Sequence, residues 1–168
     1  MTSLAQLNAL DETEFVGRLG GIYEHSPWVA GAAAKKRPFT TVAALHTAMH
    51  DVVLSAGAEQ QMALIRAHPE LAGKLAAAQL TEASRGEQAS AGLDRCTTEE
   101  RAQLQELNRH YREKFDFPFI VAVRGLNWSD IIARVTQRLA NDREREITTA
   151  LAEIGRIAQF RLADAVRQ

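Results

Sequence analysis

Apolar residues recur at helical spacing along almost the whole chain, and one run alone, Phe119–Val123, has the short, apolar, β-branched character of a strand. A strand needs partners to satisfy its backbone, and a single candidate has none. The pattern therefore predicts a helical bundle in which this run is an extended or irregular buried segment. At 168 residues, with 46% of them hydrophobic, the chain can enclose a genuine core. No internal repeat and no linker-like stretch interrupts it. The expected fold is all-α, one domain over residues 1–168, with roughly eight helices.

The start and stop signals support that count. Asp11 can cap a helix carrying Phe15, Val16 and Leu19, with Gly20-Gly21 as its stop. Ser26-Pro27 reads as an N-cap followed by proline at the first helical position, where the missing N–H costs nothing. Thr40 or Thr41 opens a segment with Leu45, Met49 and Val53 on one face, ending near Gly57, and a short helix fits Ala58 to Ala67. Thr97 and Glu100 form a capping box ahead of the stripe Leu104, Leu107, Tyr111 and Phe115, which Pro118 ends. Ile132, Val135 and Leu139 repeat the pattern after Asn127. A last long helix starts near Asp142 and buries Ile147, Leu151, Ile154 and Ala158.

Charge and composition exclude several roles. A formal net charge of -1 does not suit binding to nucleic acid. The basic groups Lys35-Lys36-Arg37 and Arg143 with Arg145 read as solvated faces. Cys96 is the single cysteine, so no internal disulfide can form and a reducing compartment is the natural reading. The amino terminus lacks a basic region before an apolar stretch, and no apolar run approaches the ~20 residues that span a bilayer. The carboxyl-terminal residues are not a peroxisomal address. These features point to a soluble cytoplasmic protein without nucleic-acid or membrane partners.

Four features stand out from a plain bundle. In HPELAGK, Pro69 steers His68 away from helical angles, so the preceding helix should end there. Pro69 can then begin a new short helix, whose dipole disfavours an imidazolium at His68 and suits a neutral base. An ordinary cap or a half-buried filler histidine fits the same residues. In Ser84-Arg85-Gly86-Glu87-Gln88, Ser84 and Glu87 have the form of a capping box, which alone explains both. The same helix start can also hold an anion beside Glu87. The Phe119–Val123 run offers backbone groups to a planar heterocycle with amide-like edges, or is simply buried core after a proline. Arg161 projects near the apolar face of the last helix, where a guanidinium must be paired, bind a substrate carboxylate or snorkel outward. Glu87 or any internal acid would serve as its partner.

His46 and His50 stand four apart, as on a metalloprotease helix, but Thr47 replaces the activating glutamate and no third ligand has a persuasive spacing. No metal site is expected from them. There is no GxGxxG and no P-loop, and Cys96 lacks the context of a catalytic triad.

The segments EHSPWVA, HPELAGK, LTEASRGEQASAGL, LNRHYREKFDFPFIVAVRG and EIGRIAQFRL follow one another from about residue 23 to 162. In this order and spacing the chain resembles the decarboxylases of 2-oxo-4-hydroxy-4-carboxy-5-ureidoimidazoline, abbreviated OHCU. The resemblance implies an all-helical fold, a homodimer, no metal or organic cofactor, and conversion of a small-molecule ureidoimidazoline to (S)-allantoin in urate breakdown. By position it assigns His68 and Glu87 as the catalytic pair. It assigns Pro69, Ser84, Arg85, Gly86, Gln88, Phe119, Ile120, Val121, Ala122, Val123 and Arg161 to substrate contact. Asp116 departs from the family pattern, in which many relatives carry glycine between Phe115 and Phe117, and this puts the local loop geometry in question.

Overall fold

The computed structural model describes residues 1–71 and 80–168, so Ala72, Gly73 and Lys74 of the HPELAGK segment lie outside the described residues. Nine helices account for most of these residues: α1 (Leu4–Ala9), α2 (Glu12–Leu19), α3 (Pro27–Ala34), α4 (Val42–Leu54), α5 (Ala58–Ala67), α6 (Glu82–Ser90), α7 (Thr98–Phe115), α8 (Trp128–Arg138) and α9 (Arg143–Ala165). The only sheet among the described residues is a parallel pair, β1 (Thr2–Ser3) with β2 (Val166–Arg167). The all-α expectation holds. Phe119–Val123 is buried and irregular, as a lone apolar run should be.

The boundaries follow local chemistry. Asp11 accepts from the Glu14 N–H at 2.8 Å, Thr41 from that of Ala44 at 3.0 Å, and Thr97 and Glu100 close their reciprocal box at 3.1 and 2.9 Å. Pro27 begins α3, yet the Ser26 hydroxyl does not cap it; it donates back to the Glu24 carbonyl at 2.9 Å. Helix α1, absent from the sequence reading, carries its own capping box between Ser3 and Gln6. At the other end of α7, Asp116 takes the left-handed conformation, with φ 63°.

Helices α1 to α5 and residues 154–168 form one compact unit; residues 68–153 form a second. In the first, α2 packs on α3 and α3 on α4 around Phe15, Val29, Ala33, Leu45 and Met49, all fully buried. Arg37, read above as part of a solvated face, instead donates to the Ala34 carbonyl at 2.8 Å and to that of Leu10, with its guanidinium 4.8 Å from the Phe15 ring centre. The carbonyls that end a helix attract a cation, and Arg37 serves α1 and α3 together.

The second unit is centred on aromatic rings. Tyr111 lies 4.6 Å from Phe115 and, edge-on, 5.3 Å from Phe119. Its buried stripes differ from the expected ones by one residue. On α7 the buried position is Asn108, not Leu107; on α8 it is Ile131 and Arg138, not Ile132 and Leu139; on α9 it is Glu146, not Ile147. Each displaced residue is half-buried. The adjacent Ile131 and Ile132 leave the phase of α8 ambiguous. At the other positions polar bonds favour the inward residue, Arg138 with Glu146 at 2.8 Å and Asn108 with the Leu71 carbonyl at 2.9 Å.

Candidate active site

The first predicted break is present. Helix α5 ends at Ala67, and His68 follows it, 7% exposed. Pro69 does not start a helix, however: residues 69 and 70 are irregular and Leu71 lies in a turn. Partners from other elements hold this stretch. Gln88 Nε2 donates to the Glu70 carbonyl at 3.3 Å, and Asn108 Nδ2 donates to that of Leu71 at 2.9 Å. Arg112 pairs with the Glu70 carboxylate at 2.7 Å. The carbonyls of Glu70 and Leu71 are thus engaged from α6 and α7.

Helix α6 begins earlier than the Ser84–Glu87 spacing suggested. Its N-cap is Thr81, whose hydroxyl accepts from the Ser84 N–H at 3.2 Å. Glu82 then lies in the first turn, where a carboxylate suits the helix dipole. Ser84 and Glu87 are thus interior residues, not a cap. With Gln88 they fall at i, i+3 and i+4 on one face of the helix. Ser84 is buried, Glu87 and Gln88 are half-buried, and Arg85 and Gly86 face solvent. The Gln88–Glu70 bond joins this face to the segment that begins at His68.

All five residues of the Phe119–Val123 segment are buried. Their backbone groups are not uniformly open, as expected above. The Ala122 N–H donates to Glu153 at 2.7 Å, the Ile120 carbonyl accepts from Arg138, and the Val123 carbonyl accepts from the Leu126 N–H at 2.9 Å. Arg138 also bonds Glu146 at 2.8 Å and lies 4.6 Å from the Phe119 ring centre. Glu146 is fully buried and accepts from Tyr111 and, at 2.7 Å, from Asn141. Burial first, and the Glu146 carboxylate second, push the Tyr111 phenol well above its usual range.

Arg161 belongs to the first unit. It is 7% exposed and pairs with Glu24 at 2.9 Å, while also donating to the Ile22 carbonyl at 3.3 Å. Glu24 is thus an internal acid that pairs with it. Glu24 sits in EHSPWVA beside the positive-φ residue His25, and no local signal in the sequence marks it as buried.

Sequence reasoning also passed over Asn108, Arg138, Glu146 and Glu153. Asn108 is 3% exposed, and its Oδ1 has no hydrogen-bond partner among the described residues. Glu146, Glu153 and Arg161 recur seven and eight apart on α9, a same-face spacing that marks buried charge. His46 and His50 are occupied differently from a metal pair: His46 Nε2 meets the Gly155 carbonyl at 2.8 Å, and His50 Nδ1 lies 3.4 Å from the Tyr23 hydroxyl.

Known proteins align with this arrangement along nearly all its length. The profile of the OHCU decarboxylase family matches residues 8–163. A 2-oxo-4-hydroxy-4-carboxy-5-ureidoimidazoline decarboxylase of Haloferax volcanii is 44% identical over 162 residues, covering 96% of this chain and 95% of its own. The uric acid degradation bifunctional protein PucL of Bacillus subtilis is 40% identical over all 168 residues, which span only 33% of that longer protein. The crystal structure of an (S)-allantoin synthase superposes with a TM-score of 0.79 at 30% identity, over 98% of this chain and 54% of the other. Family profile, relatives and fold agree, and the chain belongs to the OHCU decarboxylase family.

Proposed function

We propose that this chain decarboxylates OHCU to (S)-allantoin, with His68 and Glu87 as its catalytic pair. The observation that carries the reading is the meeting of two family-matched segments within one unit. A buried histidine opens a stretch that Gln88 ties to α6, and Glu87 shares the Ser84–Gln88 face of that helix. Pro69, Ser84, Gln88 and the backbone of residues 119–123 are assigned to substrate contact on the same ground. Arg85 and Gly86 enter through their backbone alone, since they lie on the exposed side of α6. Arg161, which pairs with Glu24, is retained as a substrate-contacting position by its match to the family motif.

The substrate supplies its own electron sink. Its hydroxyl and carboxylate share a ring carbon beside a C=N bond. When the bond to the carboxylate breaks, carbon dioxide leaves and the electron pair shifts toward the imine nitrogen. The hydroxyl proton is lost as the carbonyl forms, and a proton delivered to the ureido-bearing carbon sets its configuration. Orientation, charge stabilisation and one directed proton transfer are what the protein must provide, so no resident cofactor is needed. His68 acts as acid and base at the hydroxyl and carboxylate; Glu87 holds the hydroxyl or ureido group and orients the imidazole.

We also read the chain as one domain, since the family match runs through both compact units, and as a cytoplasmic homodimer. Light scattering of the purified chain tests the dimer. No helix among the described residues is long and apolar enough to cross a membrane.

The test is circular dichroism of allantoin formed while urate is oxidised and hydrolysed in the same cuvette. A single (S)-allantoin signal that rises faster with the protein, and loses that acceleration in a folded His68→Asn variant, supports the assignment. Slow racemic product with the folded parent overturns the decarboxylase reading.

A further inference from the structure

The Phe119–Val123 segment is held at two points by charged side chains from two helices. Arg138 of α8 donates to the Ile120 carbonyl, and Glu153 of α9 accepts from the Ala122 N–H at 2.7 Å. Arg138 is in turn fixed by Glu146, at 2.9 Å to Nε and 2.8 Å to Nη2, and the same carboxylate takes the Tyr111 hydroxyl and the Asn141 amide. One hydrogen bond to a backbone fixes a point. Two, placed at residues i and i+2 and drawn from different helices, also fix the segment's rotation about its own axis.

Stability alone does not call for this arrangement. Burying a carboxylate or guanidinium carries a desolvation cost that its partners only partly offset, and apolar replacements of similar volume are often as stable. Yet Arg138, Glu146 and Glu153 are 8%, 0% and 9% exposed around a run of five apolar residues. Charge-assisted bonds are shorter and more directional than neutral ones. Their use here suits a backbone whose orientation matters.

We propose that Arg138 and Glu153 are positioning residues of the decarboxylase site: they set the orientation of the Phe119–Val123 backbone so that it can grip the ureidoimidazoline ring. This rests on the reading that the segment contacts substrate. Glu146 acts one step further back, by orienting Arg138.

The test compares Glu153→Leu, Glu153→Gln and the double variant Arg138→Met/Glu146→Gln in the full chain, each shown to be folded by cooperative urea unfolding. The double variant removes the Ile120 anchor without leaving a lone buried charge, and its glutamine oxygen can still accept from Tyr111. Readouts are KM and kcat for OHCU generated in place, and the enantiomeric purity of the allantoin. Glu153→Leu should raise KM about tenfold, the worth of one well-placed hydrogen bond. It should also lower enantiomeric purity. Glu153→Gln keeps an acceptor oxygen and should return KM to within about threefold of the parent.

A parental KM in folded Glu153→Leu, or in the folded double variant, overturns the proposal while leaving the decarboxylase reading intact. So does a Glu153→Gln variant as impaired as Glu153→Leu. If Glu153→Leu fails to fold, the double variant decides. A parent that makes no excess of (S)-allantoin overturns both readings.

Discussion

The imidazole of His50 stands where a Cβ on Gly155 would need to be: three of its ring atoms lie 2.6, 2.8 and 2.9 Å from that position. One turn earlier on α4, the His46 ring stacks 6.0 Å away and meets the carbonyl of the same glycine at 2.8 Å. A carbonyl only accepts, so His46 carries a proton on Nε2. The HxxxH spacing thus serves a close approach to α9. Glycine inside a helix costs about 1 kcal/mol relative to alanine, and here the space it leaves is filled.

Gly155→Ala should therefore destabilise the chain by about 1–3 kcal/mol, the range for overpacking. In a His50→Ala background the sign should reverse, because only the helix-propensity gain of up to about 1 kcal/mol remains. Urea denaturation of the four chains of this cycle measures both. Effects that simply add would show that the ring moves aside without cost.

Burial, reinforced by the neighbouring His46 and opposed by Asp51, holds His50 below its usual 6.5. Between its lowered folded value and 6.5 the unfolded chain binds the extra proton, so stability rises with pH across that window and falls on acidification. The contribution is fully present above 6.5 and is lost as pH drops toward the folded value. Its slope cannot exceed about 1.4 kcal/mol per pH unit. Urea midpoints of the parent and His50→Gln, followed from about pH 7.5 to about pH 5, should differ most at the upper end and converge on acidification. Parallel profiles would remove His50 from the pH dependence.

Thr81 and Glu87 should separate stability from catalysis. Thr81→Ala removes the cap of α6 and should cost about 1 kcal/mol. Glu87 is not the cap, and Glu87→Gln keeps the side chain's shape and one acceptor oxygen, so it should cost less stability than Thr81→Ala. Its decarboxylation rate should nevertheless fall on the order of a hundredfold. Thermal unfolding beside the allantoin assay distinguishes them; a large stability loss in Glu87→Gln would return that residue to a structural role.

Asp116 ends α7 with φ 63°, a conformation that glycine adopts without a Cβ penalty. Asp116→Gly should raise stability by a few tenths to about 1 kcal/mol and leave kcat unchanged. A loss of stability on thermal denaturation would mean that the aspartate side chain contributes more than its backbone costs.

What could be read from the residues, and what could not, divides along physical lines. Caps with a strong local signature were legible: Asp11 and the Thr97–Glu100 box each bind the N–H their spacing implies, and of the two candidates Thr40 and Thr41 it is Thr41 that caps α4. So was the break at His68, because proline constrains the residue before it whatever the rest of the chain does. The cap of α6 was misplaced by three residues, since Thr81 and Ser84 both suit that role and only packing chooses between them. Pro69 itself is not helical, and Gln88 and Asn108 bind the Glu70 and Leu71 carbonyls from distant positions; the rest of the expected short helix lies outside the described residues.

The buried ion pairs were the larger gap. Arg161 advertised itself by its place on an apolar face, but its partner Glu24 lies 137 residues away in sequence. Glu146 and Arg138 sit one residue from the positions that apolar periodicity favoured. Hydrophobic spacing alone cannot say that a helix will turn a charge inward and an isoleucine partly out.

The two ends of the chain carry a practical consequence. Thr2 pairs with Val166 and Ser3 with Arg167 in parallel, and the Gln168 side chain reaches back to the Thr40 carbonyl at 3.0 Å and the Val42 N–H at 3.1 Å. Adjacent termini invite circular permutation, with new ends opened in the exposed turn between α4 and α5. A parallel ladder, however, cannot be closed by a hairpin turn. A joining peptide must run back beside the pair for on the order of 10 Å before it re-enters the first strand. Permutants with a direct splice should lose the ladder, and those with a flexible return of several residues should keep it.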